Sequence, residues 1–492
     1  MGEQSIDARR ARLWFWGLFA MAVALRVFAF NPYSAHHPDE TIQYLEQAHR
    51  IVFGYGVVPW EFRYFIRSWL IPLLLVPSMQ LGEWIDPGGT LYLILPRAML
   101  AAFNLAPVWA AWVIGRRQSL QHAIVAMAVI ALWVECVLFS VQVLSESLAV
   151  SCFLVAAALL HSKARMPAIV AAGALMALAG LMRFQFGPAI AVYAVLIAGK
   201  DLRLWKGLIA GGIPVVLGGA AIDLAMGLFP YQWVLTNFRM NILEGRMREI
   251  GGVSHWHYAQ AIMIYWKAAL LPIAFFVALA WREHKALIIA ALVNIAVHQL
   301  IGHKEYRYLW LSIEILLLVA AMGSVNLLRE TIAGRRLAEP GGLGATAVLI
   351  ALWGAGSLAL ATTETYRLGW RASGDPGRLG AAALRDPRVC GLAVPRQEYT
   401  LFGYALLHRN KPVFLLGQEA EGALDDPGKA AKGFNAAMTW VSDAPPPPPF
   451  VRVGCRGGVR DRICLYRRSG GCEIDQDNRK LLFQETLLRL DM

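Results

Sequence analysis

Apolar stretches of membrane-spanning length recur along this chain and constrain its fold more than any other feature. A helix needs about 20 mostly apolar residues to cross a bilayer. Eleven stretches meet or approach that length, and they cover residues 12–30, 91–114, 120–139, 143–161, 167–182, 186–199, 206–228, 259–281, 285–301, 308–328 and 343–363. The sequence therefore predicts an all-α polytopic membrane protein with about 11 transmembrane helices.

Composition agrees with this class and excludes others. Of the 492 residues, 57% are hydrophobic and only 16% are charged, which is too apolar for a soluble enzyme. The formal net charge is +12, and in a membrane protein basic residues mark the loops that face the cytoplasm. The sequence has no nucleic-acid-binding pattern and no glycine-rich nucleotide loop. We expect membrane lipid as a partner, no nucleic acid and no cofactor.

Basic residues fall at every second gap between the predicted spans, as a real topology requires. These junctions are GRR (115–117), HSKAR (161–165), GKDLRLWK (199–206), WREHK (281–285) and LLRETIAGRR (327–336). With them inside, residues 31–66 form the first external loop, and the chain after about residue 363 is external. The predicted domains are a transmembrane domain, 1–363, and a soluble extracytoplasmic domain, 364–492.

One apolar stretch does not fit a simple span. SWLIPLLLVPSMQL, residues 68–81, is short and contains Pro72 and Pro77. We interpret it as a re-entrant segment or one lying at the membrane interface. A distorted full span is the alternative, and it would break the alternation of the loops.

The C-terminal region has the character of a small folded α/β domain. VCGLAV, KPVFLL, MTWVS and RICLY are typical of short strands. The region also contains four of the six cysteines, Cys390, Cys455, Cys464 and Cys472. Two disulfides are expected in an exported domain, although three pairings are possible.

The first external loop contains an unusual acidic helix start, HPDE. Pro38 suits the first helical position, and Asp39 and Glu40 suit the positive end of the helix. Helical spacing of the apolar residues predicts an amphipathic helix at the outer membrane surface that ends at Gly54 and Gly56. Taken alone, the two acids are explained as good helix-start residues.

Other loops on the same predicted side supply cationic and aromatic residues. They are PWEFRYFIRSW (59–69), GGVSHWHYAQ (251–260) and IGHKEYRYLW (301–310). Polar groups at the ends of membrane spans are costly and usually functional. A carboxylate that faces cations at the lipid boundary fits transfer of a sugar from a lipid phosphate. The carboxylate would act as a base for an acceptor hydroxyl, and the cations would stabilise the departing phosphate.

Three segments resemble the signature stretches of the family 22 glycosyltransferases. They begin at HPDETIQYLEQ, YQWVLTNFRMN and HKEYRYLW. The likeness covers about residues 30 to 310, and within the family it is strongest to the branch that adds the third mannose of glycosylphosphatidylinositol anchors. The resemblance implies a GT-C membrane fold and an inverting mannosyltransferase. It also implies a dolichyl- or polyprenyl-phosphate mannose donor and a glycolipid or glycan acceptor.

The resemblance also implies roles for individual residues. Asp39 corresponds to the general base, with Glu40 as helper or second candidate. The residues implied to bind the donor phosphate are Arg67, His303, Lys304 and Arg307. Those implied to line the sugar or acceptor cleft are His37, Trp60, Glu61, His255, His257 and Glu305. No metal site is expected, since His255 and His257 have no third ligand at a fixed spacing.

Several alternatives remain open from the sequence. Arg183 either contacts phosphate or extends towards the membrane interface, while Glu135 and Glu146 are solvated or paired within the bundle, or line the acceptor path. The transferase could use another lipid-linked sugar, and a transporter or flippase is a less favoured class. We expect an integral multi-pass protein of the bacterial inner membrane, or alternatively of the endoplasmic reticulum, with an extracytoplasmic active site.

Overall fold

The computed structural model of the protein describes residues 2–246, 254, 256–333, 342–370, 374–417, 431–458 and 462–491. The chain forms two compact units. The bundle unit comprises Met1–Phe30, Ser68–Leu70 and Leu100–Trp370, and the sheet unit comprises Asn31–Arg67, Ile71–Met99 and Arg371–Met492. This division differs from the predicted boundary at 363/364. The first loop groups with the C-terminal segment because Ile42 and Val57 share an apolar core with its strands.

Helices dominate the described residues. In the first half of the chain they are α1 (Gly2–Ala29), α2 (Glu46–Phe53), α3 (Trp60–Arg63), α4 (Leu70–Ile85), α5 (Leu91–Phe103), α6 (Ala106–Arg116), α7 (Leu120–Leu132), α8 (Val134–Ser140), α9 (Ser145–Leu159), α10 (Met166–Met182), α11 (Gly187–Ala198), α12 (Leu202–Ala225) and α13 (Gln232–Phe238). They continue with α14 (His257–Trp266), α15 (Leu270–Leu279), α16 (Trp281–Leu300), α17 (Trp310–Ala333), α18 (Gly342–Ala361), α19 (Glu364–Trp370), α20 (Asp375–Arg385), α21 (Tyr404–Leu407), α22 (Gln476–Arg479) and α23 (Phe483–Arg489).

Fewer helices than predicted are both long enough and apolar enough to span a membrane. In the part of the chain that the structure describes, six helical segments are long and apolar enough to cross a membrane, or seven if the bent pair α7–α8 is one span. Several other predicted spans are apolar helices of 12 to 17 residues, namely α9, α10 and α11. A polytopic helical protein is therefore supported, but the count of 11 is not.

The centre of the bundle unit is a broken helix. α7 and α8 meet at Trp133 with a bend of 60°. Because of this bend, backbone carbonyls near Trp133 lack their usual hydrogen bonds within the helix. Ser357 Oγ donates to the carbonyl of Leu132 at 2.9 Å, and Arg26 Nη2 donates to the carbonyl of Ile130 at 3.1 Å. Irregular backbone inside a membrane protein persists where neighbouring side chains satisfy it in this way.

The sheet unit contains five strands in a mixed sheet. They are β1 (Leu392–Pro395), β2 (Val413–Leu416), β3 (Ala436–Trp440), β4 (Val451–Arg456) and β5 (Ile463–Arg467), in the order β2-β1-β3-β5-β4. β1 pairs in parallel with β2 and β3, whereas β3–β5 and β5–β4 are antiparallel. The predicted small C-terminal sheet is therefore present. β4 is an additional strand at the exposed edge.

The helix that begins at the HPDE motif is buried, contrary to the prediction of a helix at the membrane surface. It consists of a π-helical turn, Glu40–Leu45, that continues into α2 and ends at Gly54, whose φ of 78° favours glycine. Residues 39–49 are all buried. Several of their polar groups find hydrogen-bond partners inside the sheet unit. For example, Gln47 Nε2 donates to the carbonyls of Ile42 and Val57 at 2.9 and 3.2 Å.

Both expected disulfides are present, and they can be ranked by their effect on stability. Cys390 pairs with Cys472 across a separation of 82 residues, and Cys455 pairs with Cys464 across 9. A crosslink that closes a longer loop removes more entropy from the unfolded chain, about 4.5 against about 2.7 kcal/mol. We expect replacement of Cys390 and Cys472 by serine to lower the thermal midpoint in detergent more than replacement of Cys455 and Cys464. Equal losses would contradict the ranking.

Candidate active site

Asp39 lies at the start of the buried helical segment and is surrounded by polar side chains of the sheet unit. Its Oδ1 accepts a hydrogen bond from Gln43 Nε2 at 2.9 Å, and its Oδ2 lies 3.4 Å from Arg67 Nη2. His37 Nδ1 lies 3.4 Å from Oδ1. Only 8% of the Asp39 side chain is exposed. The carboxylate is therefore held in one orientation beside a guanidinium.

Glu40, the second acid of the motif, is fully buried and bound to the backbone of its own loop. Its Oε1 accepts hydrogen bonds from the backbone N–H groups of His36 and His37 at 2.8 and 3.1 Å. Its Oε2 lies 3.6 Å from Arg97 Nη1. Buried donors of a loop need such acceptors. Glu40 thus fixes the turn that presents Asp39.

Glu61 joins the Asp39 network through a shared amide. Gln43 Nε2 donates to Glu61 Oε1 at 2.8 Å as well as to Asp39. Burial raises the pKa of Glu61 above its ordinary value, although nearby Arg67 opposes this shift. Trp60 begins α3 beside Glu61 and is half-buried. The structure therefore groups His37, Trp60, Glu61 and Arg67 in the same unit as Asp39.

Glu46, one turn further along the helix, joins the first loop to the C-terminal segment. Its Oε1 accepts from the backbone N–H of Val57 at 2.8 Å, and its Oε2 accepts from that of Ala405 at 2.7 Å. Gly403 permits this close approach, since a Cβ there would lie 2.9 Å from Glu46 Oε2. Burial raises the pKa of Glu46 to about 7.

This buried acid predicts a pH dependence of stability. A carboxyl whose pKa rises from 4.5 to about 7 on folding keeps its proton in the native state after the unfolded chain has lost it. Its contribution is complete below pH 4.5 and is lost as the pH rises through 7, in total about 3 kcal/mol. We expect the thermal midpoint of the wild type to fall between pH 5 and pH 8, and Glu46→Gln to flatten this fall. Parallel profiles for the two proteins would contradict the assignment to Glu46.

The HKEYR motif of the bundle unit folds around its own glutamate. Glu305 Oε2 accepts from Arg307 Nε at 2.6 Å, while Glu305 Oε1 lies 2.7 Å from His303 Nε2 and accepts from Tyr308 OH at 3.0 Å. The ammonium of Lys304, which is 6% exposed, donates at 2.8 Å to the backbone carbonyl three residues earlier. His303, Glu305 and Arg307 therefore form one charged cluster, whereas the ammonium of Lys304 binds the backbone.

Two charged residues outside the predicted set complete that cluster. Glu146 begins the first turn of α9, and its Oε1 lies 3.3 Å from Arg307 Nη1 and 3.3 Å from Arg183 Nη1. Its other oxygen accepts from Ser145 Oγ at 2.9 Å. Glu146 is fully buried, so the alternative in which it is solvated is wrong. An acid inside an apolar stretch is the signal that could have indicated this site.

Glu135 forms a second buried centre next to the motif. Trp133 Nε1 and Trp266 Nε1 donate to its Oε2 at 2.8 and 2.9 Å, and Tyr306 OH donates to its Oε1. Because Tyr306 lies between Glu305 and Arg307 in the chain, its hydrogen bond to Glu135 attaches the motif to α8. Glu135 is therefore paired within the bundle, which was one of the open alternatives.

The two histidines of the GGVSHWHYAQ loop are less informative. His257 is half-buried at the first position of α14, with its ring 5.9 Å from that of Tyr258. His255 lies outside the described residues. Among the residues that are described, no three His, Cys, Asp or Glu side chains are grouped so that they could hold a metal ion.

The fold resembles that of a solved protein. ArnT from Cupriavidus metallidurans bound to undecaprenyl phosphate matches 94% of this chain and 99% of its own with a TM-score of 0.58 at 15% sequence identity. Its apo structure matches 95% of this chain and all of its own with a TM-score of 0.57 at 16% identity. At such identities the likeness concerns the fold alone.

Residues 15–366 match the Alg9-like mannosyltransferase family, and the chain belongs to that family. The predicted membership of glycosyltransferase family 22 is thereby confirmed. GPI mannosyltransferase 3 of Drosophila melanogaster is 35% identical over 94 residues, 18% of this chain and 16% of the relative. GPI alpha-1,2-mannosyltransferase 3 of Danio rerio is 44% identical over 71 residues, 13% of each chain. The matching stretches thus span less than a fifth of these relatives.

Proposed function

We propose that the protein is an inverting membrane mannosyltransferase that uses a polyprenyl-phosphate mannose donor and a glycolipid or glycan acceptor. Family membership supports the transferred sugar. The shared fold with ArnT, which was solved with undecaprenyl phosphate, supports a lipid phosphate carrier. The names of two relatives refer to GPI, which supports a glycolipid among the candidate acceptors.

In the proposed reaction, Asp39 accepts the proton of an acceptor hydroxyl. The hydroxyl oxygen attacks the anomeric carbon as the bond from that carbon to the phosphate oxygen breaks, and the electron pair leaves with the phosphate. The products are an inverted mannoside, a polyprenyl phosphate and a protonated Asp39. Phosphate is a good leaving group, so the reaction needs cations and no general acid. We assign that role to Arg67, His303, Lys304 and Arg307.

The geometry of Asp39 is the observation that carries this proposal. A general base must be oriented and must keep an accessible oxygen. The Asp39 side chain is fixed by Gln43 and retains some exposure, and Arg67 beside it has 21% of its side chain exposed. Both oxygens of Glu40, by contrast, face loop amides and Arg97. These contacts favour Asp39 over Glu40 as the base.

We infer that the active site is extracytoplasmic. Asp39 belongs to the sheet unit, which also contains both disulfides, and disulfides persist in oxidising compartments. Since Glu46 binds the N–H of Ala405, the loop that bears Asp39 packs directly on the C-terminal segment. A bacterial inner membrane is the proposed location, with the endoplasmic reticulum as the alternative.

A transfer assay tests the function. Purified protein is incubated with radiolabelled polyprenyl-phosphate mannose and total membrane lipids, and the labelled product is analysed by mass spectrometry. We expect one mannose added to a lipid-extractable or glycan acceptor, and none with Asp39→Asn. Transfer from a polyprenyl phosphate that carries a different sugar, with none from the mannose carrier, would show that the donor sugar is not mannose. No transfer from either carrier would overturn the proposal.

A further inference from the structure

Arg183 occupies a break between two apolar helices of the bundle unit. α10 ends at Met182, the backbone of Arg183 is not helical, and a short turn, Phe184–Phe186, leads into α11. The residue is only 4% exposed. A buried cation at a helix break in a membrane protein is costly and usually serves a ligand or a partner.

Arg183 and Arg307 share their partners almost symmetrically. Each guanidinium has a nitrogen 3.3 Å from the same oxygen of Glu146. Each also lies over the ring of Tyr308, with Cζ 4.5 Å from the ring centroid for Arg183 and 5.2 Å for Arg307. The two guanidinium groups are therefore held side by side by one carboxylate and one aromatic ring.

This arrangement leaves donors of Arg183 available. A guanidinium has five N–H groups, and charge-assisted bonds normally measure about 2.7 to 2.9 Å, shorter than the contact to Glu146. Among the described residues, the buried Nε of Arg183 has no hydrogen-bond partner. The site thus suits an additional acceptor with several oxygens.

We propose that Arg183 and Arg307 together form an anion site for the phosphate of a polyprenyl-phosphate lipid, with Glu146 as the residue that positions both. This inference rests on the proposed function and extends it by one binding residue and one positioning residue. Planar guanidinium groups bind phosphate oxygens in pairs. Glu146 limits the repulsion between the two cations before the lipid binds.

Binding of polyprenyl phosphate to the purified full-length protein tests the proposal without requiring catalysis. Arg183→Gln is expected to weaken this binding roughly tenfold or more, the usual loss for a charged hydrogen-bonding group. Binding of polyprenol, which lacks the phosphate, should not change. Glu146→Gln should also weaken phosphate binding and leave polyprenol binding as it is. Arg165→Gln is the matched control, because Arg165 precedes α10 at its other end and is exposed.

Further measurements separate the possible outcomes. Inorganic phosphate should compete with polyprenyl phosphate in the wild type. If inorganic phosphate binds at Arg183 but the binding of polyprenyl phosphate is unaffected by Arg183→Gln, the site takes free phosphate and the proposal is overturned. Arg183→Met replaces Arg183→Gln if the latter does not fold, and wild-type affinity in either folded variant also overturns it. Arg183-dependent binding without mannose transfer would instead count against the proposed function alone.

Discussion

Asp39→Asn is expected to lower kcat for mannose transfer by about 100- to 10,000-fold, the usual contribution of a general base. Asparagine has nearly the same shape and can still accept the hydrogen bond from Gln43, but it cannot take a proton from the acceptor. The donor KM should remain within about threefold, since the lost interaction is made in the transition state. Steady-state kinetics with radiolabelled polyprenyl-phosphate mannose measure both constants.

The neighbouring acid provides the control for this prediction. Glu40→Gln keeps an acceptor for the loop amides but removes the charge opposite Arg97. We expect a lower thermal midpoint, with a much smaller loss of kcat than in Asp39→Asn. If Glu40→Gln folds but is inactive while Asp39→Asn remains active, Glu40 and not Asp39 is the general base. Near-normal turnover in both variants would leave the motif without a base.

Local sequence patterns predicted the parts of the fold that depend on local chemistry. Gly54 ends the loop helix because its positive φ is a property of that one residue. The short continuous apolar runs VFLL and ICLY form β2 and β5, and most of their residues are buried. β4 was not predicted because it is an exposed edge strand whose arginines and glycine do not show a buried face.

Features that depend on distant partners could not be predicted. The helix that begins with HPDE has the periodicity of a surface helix, yet it is buried because Glu46 finds the N–H of Ala405, 359 positions away. The acids inside apolar stretches were recognised as candidates for pairing in the bundle. Their partners were not, since no local pattern joins Glu146 to Arg183 and Arg307.

The predicted site shows the same contrast. His37, Glu61 and Arg67 are near Asp39 in the chain, and the structure groups them with it. Glu305 was expected in the sugar or acceptor cleft, but its oxygens bind Arg307 and Tyr308 within its own motif. Nearness in the chain therefore indicated which residues lie around Asp39, but not which residues Glu305 contacts.

Arg307→Gln is expected to raise the donor KM by about 10- to 100-fold, which corresponds to the loss of one charge-assisted contact to phosphate. The side chain of Arg307 is 6% exposed and is paired with Glu305 and Glu146. Its removal leaves the buried Glu146 and the half-buried Glu305 with less compensation, so stability should also fall, by about 3 kcal/mol. Donor kinetics measured well below the thermal midpoint separate the two effects.

Two variants isolate the contribution of Arg307 to donor binding. Arg307→Lys keeps the charge and loses the planar fork, so its donor KM should lie between those of the wild type and Arg307→Gln. Arg329→Gln removes an exposed arginine from the far end of α17, the helix that follows the motif, and should leave KM unchanged. A folded Arg307→Gln protein with wild-type donor KM would show that the HKEYR cluster is a structural ion network and not a phosphate site.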